Sequence, residues 1–127
     1  MKTSSAKAKG RRPLKRFREL LLKWLPLEPG DITVTPSGVT GVDLQLSPEA
    51  LRYIPYGVEG KAEEALSIWG ALRQAESHCK GLSLRRPLLV FTRNRTPLYV
   101  ALEAEEFVRL LARACEVMKL SDFKITV

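Results

Sequence analysis

Residues 58 to 76, VEGKAEEALSIWGALRQAE, predict a β-strand that ends in charged residues and leads into an amphipathic helix. From residue 56 to 61 the strand alternates, so that Glu59 and Lys61 share one face while Val58 and Gly60 share the other. The helix that follows carries an apolar stripe at helical spacing, formed by Ala65, Ile68, Trp69, Leu72, Ala75 and Cys79. This strand-to-helix unit indicates a layered α/β arrangement.

The segments on either side extend this unit to a complete domain. Before it, PLKRFRELLLKWL (13–25) predicts a helix, DITVT (31–35) and VDLQL (42–46) predict strands, and Ser47 caps a short helical turn. After it, PLLVFT (87–92) and PLYVAL (97–102) predict two strands, the first central because it is nearly all apolar. A helix over 103–118 and an edge strand at FKITV (123–127) complete the order. We expect an α/β (α+β) fold with one mixed central β-sheet flanked by helices.

Positive charge is concentrated at the N-terminus. Residues 1–24 carry nine Lys or Arg against one acid, whereas the other 103 residues carry twelve basic and thirteen acidic groups. We expect residues 1–12 to form a flexible basic arm and residues 13–127 a single domain. Such an arm suits a polyanion, but a solvated tail or a membrane-surface helix has the same charge. The predicted DNA contacts are Lys9, Arg11, Arg12, Lys15, Arg16, Ser37, Arg93 and Arg95, the last two in a turn whose tip could equally be simply solvated.

Several classes of protein are disfavoured by the composition. No apolar run approaches the ~20 residues of a membrane span, and no apolar segment follows the basic N-terminus as in a secretory signal. Cys79 and Cys115 are expected to be buried free thiols, which agrees with a cytoplasmic location. The serines lack a histidine–acid partner set, so a Ser-His-Asp triad is excluded as far as the single histidine, His78, allows. His78 and Cys79 with the distant Cys115 do not have the spacing of a zinc site. His78 is expected to be an ordinary helix-surface residue. The sequence contains no P-loop or dinucleotide-binding glycine pattern, so a small-molecule cofactor is not expected.

Two carboxylates and a lysine form the strongest chemical pattern. Asp43 projects from the strand expected to neighbour the one that carries Glu59 and Lys61. Carboxylates on adjacent strands suit Mg²⁺ or Mn²⁺, and a nearby lysine can position or deprotonate an attacking water. The alternative is a surface salt bridge between Glu59 and Lys61, with Asp43 unrelated to it.

The wider pattern resembles the PD-(D/E)xK nuclease superfamily, and within it small bacteriophage endonuclease-like proteins related to Holliday junction resolvases. Three segments carry the resemblance: KGRRPLKRFRELLLKWLPLEPGDI, TPSGVTGVDLQLSPEALRYIPYGVEGKAEEALSIWGALRQAE and RRPLLVFTRNRTPLYVALEAEEF. Together they span about residue 9 to residue 111, and the middle segment is the most specific. The resemblance implies a restriction-endonuclease-like core.

The resemblance also implies residue roles. Asp43 and Glu59 would be the metal ligands, completed by the Gly60 carbonyl, and Lys61 would be the catalytic lysine. Gln74 and Glu19 fall where related enzymes place further polar or acidic residues near the site. This chain departs from the pattern in having Val42 where the superfamily often has proline, and Gly60 and Ala62 where the phage group usually has Cys and Asn.

The function implied is a Mg²⁺-dependent DNA endonuclease, with Mn²⁺ as a substitute, that cuts branched DNA as a homodimer. A phage protein of this kind would work in the cytoplasm of the host cell. Two alternatives stay open from the sequence. One is a different nuclease activity, such as nicking or end-processing. The other is a non-catalytic basic nucleic-acid-binding module in which Asp43, Glu59 and Lys61 are a charge network.

Overall fold

Four α-helices and five β-strands make up the part of the chain that the computed structural model describes. It covers residues 2–82 and 85–125, with side chains for 11–82 and 85–116. The elements are α1 (Lys2–Trp24), a 3₁₀ turn (Pro29–Asp31), β1 (Ile32–Val34), β2 (Leu44–Leu46), α2 (Pro48–Tyr53), β3 (Tyr56–Ala62), α3 (Ile68–Cys79), β4 (Arg86–Thr92), β5 (Tyr99–Ala101) and α4 (Ala104–Ile125). The fold class is therefore α+β, as the sequence predicted.

A three-stranded mixed sheet is ordered β3-β4-β5. β3 and β4 are parallel, with Glu59 beside Leu89, and α3 provides the crossover that a parallel pair requires. β5 returns antiparallel to β4 after a tight turn. Leu88, Leu89 and Val90 are buried, which confirms the prediction that this apolar run is the central strand.

The two faces of β3 are covered by different helices. On one face α1 lies so close that a Cβ at Gly60 would sit 2.7 Å from Cγ of Leu14. On the other face α3 approaches at Gly57, where a Cβ would meet the Cys79 Sγ. The main core lies on the α1 side, between Leu14, Val58 and Val90, and includes the buried Ile32 and Leu44. β3 is thus fixed in position between two helices.

β1 and β2 form a separate antiparallel hairpin, with Ile32 opposite Leu46. The prediction of one continuous sheet is therefore wrong. The reason lies at Asp43, just before β2. Its N–H donates to the Val58 carbonyl at 2.8 Å, but its side-chain Oδ2 then accepts from the Gly60 N–H at 2.9 Å. A carboxylate thus takes the place of the next backbone acceptor, and the ladder between β2 and β3 stops after one bond.

The two end helices differ from the sequence prediction. α1 begins at Lys2, so the segment predicted as a flexible arm is helical, because Ala, Lys and Arg are good helix formers. α4 runs to Ile125, so a strand at residues 123–125 is wrong, and residues 126 and 127 lie outside the described chain. The stretch EVMKLSDFK contains neither Gly nor Pro to end the helix. Cys115 on α4 is exposed, contrary to prediction, whereas Cys79 is buried.

Among the described helices, none has both the length and the apolar character that crossing a membrane requires.

Candidate active site

A cleft of about 250 Å³ opens at the edge of β3 that faces away from β4. Asp43, Glu59, Gly60 and Lys61 all line it. The walls are completed by Arg11 and Leu14 of α1 and by the loop from Thr35 to Val39. The structure therefore brings together the two carboxylates, the glycine and the lysine on which the sequence interpretation depends.

The loop between β1 and β2 forms the outer wall of this cleft. Val39 N–H donates to the Pro36 carbonyl at 3.3 Å, which closes a turn. Gly38 occupies the third position of that turn with φ 86°, a conformation that glycine adopts without strain. The turn places Ser37, a predicted DNA contact, on the cleft wall.

Glu59 is the most buried charged residue of the cleft, with 4% of its surface exposed. Burial, and next the negative charge of Asp43, raise the pKa of Glu59 to about 7, against a hydrogen bond from His78 that lowers it. Two carboxyl groups held this close in a site of low polarity destabilise each other's ionised form. A cation between them relieves that repulsion, so the pair is electrostatically suited to a cation.

His78 of α3 contacts Glu59 directly. Its Nδ1 lies 2.6 Å from Glu59 Oε1, and its side chain is 30% exposed. The sequence interpretation missed this residue, because it treated His78 as an ordinary surface histidine. A signal was present in the sequence, because His78 lies next to Cys79, the last residue of the predicted apolar stripe. Of that stripe Ala75 and Cys79 are buried, whereas Trp69 is 76% exposed.

Lys61 is half-buried at the end of β3. Glu59 pairs with His78 rather than with Lys61, and within the described ranges Lys61 forms no salt bridge. The alternative interpretation, a Glu59–Lys61 surface salt bridge, is therefore not the arrangement found. The Lys61 ammonium group is left to interact with whatever enters the cleft.

Arg11 adds a second cation to the cleft. Its Nε is buried and, among the described residues, has no hydrogen-bond acceptor. A buried donor without a partner costs about 1–3 kcal/mol, so an anionic ligand there would be stabilised. A phosphate oxygen is an acceptor of the required kind.

Four arginines line a smaller cleft of about 150 Å³ beside the carboxyl ends of β3 and β4, namely Arg12, Arg16, Arg93 and Arg95. Thr92 Oγ1 lies 3.0 Å from Thr96 Oγ1 across the turn between β4 and β5. Arg95 has a positive φ of 59° in that turn. Residues of α1 and of this turn, distant in sequence, thus line one cationic cleft, which Ala62, the residue after Lys61, also lines.

Other predicted residues lie elsewhere. Glu19 and Lys15 line a separate groove of about 450 Å³ on the far side of Arg11. Gln74 is exposed on α3, one turn before His78, and does not line the cleft. Side chains before residue 11, including that of Lys9, are outside the description. Asp31, near the same edge in sequence, binds Ser47 Oγ at 2.6 Å and the Glu28 N–H at 2.8 Å, so its role is local.

The oxygen donors of the cleft suit a hard divalent cation that takes few ligands from the protein. Within the described residues no cluster of three or more His, Cys, Asp and Glu side chains has the geometry to hold a metal ion. The candidate oxygen ligands that line the cleft are the carboxylates of Asp43 and Glu59 and the backbone of Gly60. Mg²⁺ characteristically binds through one or two carboxylates and retains several waters, so this set suits Mg²⁺ or Mn²⁺ rather than zinc.

No protein-family model, curated protein or solved structure matches this chain.

Proposed function

We propose that this chain is a metal-dependent DNA endonuclease with a restriction-endonuclease-like core. The observation that carries the proposal is the convergence of Asp43, buried Glu59, Gly60 and Lys61 on one cleft beside a cluster of arginines. A carboxylate pair, a lysine and a cationic approach are the groups that phosphodiester hydrolysis uses. The arrangement of an antiparallel hairpin, a β3–α3–β4 crossover and an antiparallel β5 is compatible with such a core.

Asp43, Glu59 and the Gly60 carbonyl would hold Mg²⁺ or Mn²⁺. When bound there, the cation would supply Lewis-acid polarisation of a phosphoryl oxygen and ease the deprotonation of water. Asp43 is positioned for this by its contact with the Gly60 N–H. Glu59 is positioned by the rigid strand between α1 and α3.

Lys61 would act on the attacking water and on the developing charge. Its ammonium group lies in the cleft without a carboxylate partner among the described residues. It can donate a hydrogen bond that orients the water oxygen towards phosphorus, and it can stabilise the added negative charge on the phosphoryl oxygens. In-line attack forms the new P–O bond and breaks the P–O3′ bond. The products expected from the resemblance are a 5′-phosphate and a 3′-hydroxyl.

DNA would bind through its backbone. Arg11 in the main cleft and the four arginines of the smaller cleft offer five guanidinium groups to a DNA backbone. Such contacts fix the position of the strand without reading bases, and they make affinity depend on salt. We propose branched DNA as the preferred substrate, on the strength of the resemblance to phage resolvases. Symmetric cutting of a junction would require a two-fold homodimer.

The test uses a labelled four-way junction and a linear duplex of the same sequence, each with Mg²⁺, Mn²⁺ or EDTA. Metal-dependent cleavage that falls by at least about 100-fold in Lys61→Ala would support the nuclease. Symmetric nicks confined to the junction would support resolution. Equal cutting of both substrates would retain the nuclease and reject the junction preference, which leaves nicking or end-processing.

Asp43 calls for two variants, because it also joins β2 to β3. Asp43→Asn keeps an oxygen that can accept from the Gly60 N–H, whereas Asp43→Ala removes it. If Asp43→Asn folds normally but no longer cleaves DNA, cleavage requires the negative charge of the Asp43 carboxylate. The rival, a non-catalytic nucleic-acid-binding module, predicts tight DNA binding by the wild type and no cleavage with any metal.

A further inference from the structure

We propose that His78 is a positioning residue for Glu59: its ring holds one carboxylate oxygen and so aims the other into the cleft. The contact joins Nδ1 of His78 to Oε1 of Glu59 at 2.6 Å. This inference rests on the proposed function for its consequence, because it concerns how well the Glu59 carboxylate can hold a divalent cation.

The contact is short and its acceptor is buried. Distances near 2.7 Å are typical of charge-assisted hydrogen bonds, which are about twice as strong as neutral ones. Glu59 is 4% exposed, and a buried carboxylate requires a partner to offset the loss of hydration. Among the described residues, the one salt-bridge partner found for Glu59 is His78. No lysine or arginine therefore competes to orient this carboxylate.

The backbone around His78 is held against the sheet. Ala71, Ala75 and Cys79 are the buried residues of α3. Cys79 Sγ lies 3.9 Å from the Gly57 carbonyl, and it can approach that closely because Gly57 has no side chain. His78 directly precedes Cys79 in α3, and Glu59 lies two residues after Gly57 on the same face of β3. A helix and a strand, rather than a loop, therefore bring the histidine ring to the carboxylate.

The remaining oxygen of Glu59 is the one that serves the cleft. Oε1 contacts His78 of α3, and Glu59 also lines the cleft with Asp43, Gly60 and Lys61, so Oε2 is the oxygen left to bind a ligand there. Groups that hydrogen-bond to a metal-ligating carboxylate typically change metal affinity or activity by about 10–100-fold when removed. His78 has the geometry for such a role.

The test compares three variants by two measurements. The first is Mn²⁺ binding in the absence of DNA, monitored by the EPR signal of free Mn²⁺. The second is the Mg²⁺ concentration that gives half-maximal cleavage. His78→Leu removes the donor. His78→Asn keeps an N–H donor near the position of Nδ1. Ser77→Ala is the matched control, since Ser77 is exposed on the neighbouring position of the same helix.

We expect the Mn²⁺ dissociation constant to rise about 10–100-fold in His78→Leu, with most of the affinity restored in His78→Asn and no change in Ser77→Ala. Saturating Mg²⁺ should recover much of the cleavage rate of His78→Leu. Wild-type affinity in a folded His78→Leu would overturn the role of His78 and leave the nuclease proposal intact. If the leucine variant does not fold, a folded His78→Asn that binds Mn²⁺ about 10–100-fold more weakly than wild type would overturn it. A wild-type protein that neither binds Mn²⁺ nor cleaves DNA would overturn both proposals.

Discussion

Glu59→Gln should stabilise the protein at alkaline pH. In the folded protein burial and the charge of Asp43 raise the pKa of Glu59 to about 7, from an ordinary value of 4.5. Between these values the folded state keeps a proton that the unfolded chain has released, so stability is lost as pH rises through this window. At about 1.4 kcal/mol per pH unit, the loss is complete above pH 7 and amounts to about 3 kcal/mol. Glutamine has nearly the same shape, cannot ionise, and can still accept a hydrogen bond from His78.

Urea unfolding at pH 5 and at pH 8 measures this effect. The variant should exceed wild type by less than about 1 kcal/mol at pH 5 and by up to about 3 kcal/mol at pH 8. Far-UV circular dichroism is the suitable probe, because Trp24 and Trp69 are 75% and 76% exposed and report little on unfolding. The control is Glu63→Gln, which changes an exposed glutamate directly after β3. Its stability should differ from that of wild type by no more than about 0.5 kcal/mol at either pH. If the Glu59→Gln advantage is the same at both pH values, the reasoning about the buried carboxylate is wrong.

Three further outcomes are expected. Gly60→Ala should lower the free energy of unfolding in urea by about 1–3 kcal/mol, because its methyl group would meet Leu14. Gly30→Ala, where the added Cβ has no atom within 4 Å, should be nearly neutral. Equal losses for the two variants would contradict the close approach of α1. Ser47→Ala should lose about 1 kcal/mol, since its Oγ accepts from the N–H three residues on at 3.1 Å, and an unchanged urea midpoint would show that the cap is dispensable. Arg93→Ala should weaken DNA binding equally for all sequences and reduce the slope of log affinity against log salt concentration by about 1. A slope equal to that of wild type would show that Arg93 does not contact a DNA phosphate.

The sequence predicts much of the central unit because its local signals agree with one another. The apolar run over residues 87–92 predicts a central strand, and the change from alternating to helical periodicity after Lys61 separates β3 from α3. Strand alternation also places Glu59 and Lys61 on one face of β3. These features depend on neighbouring residues alone, so no knowledge of the rest of the fold is needed.

The features that the sequence did not predict depend on contacts between distant segments. Whether the hairpin joins the main sheet is decided at Asp43, where a side-chain oxygen replaces a backbone acceptor for Gly60. Whether His78 reaches Glu59 is decided by how closely α3 approaches at Gly57. The ends of α1 and α4 differ from the sequence prediction for another reason. A proline can be accommodated within a helix, as Pro13 is, and the strand-forming character of residues 123–125 does not make a strand without a partner.

The most direct measurement of the central claim is the rate at which Glu59→Gln nicks supercoiled plasmid DNA in Mg²⁺ at pH 8, relative to wild type. Its raised pKa means that this buried carboxylate opposes folding at that pH, a cost that a role in binding a cation would account for. We predict that the variant is at least as stable as wild type and at least about 100-fold slower, since loss of a metal ligand removes several kcal/mol of transition-state stabilisation. Equal rates, or no Mg²⁺-dependent nicking by wild type, would contradict the account.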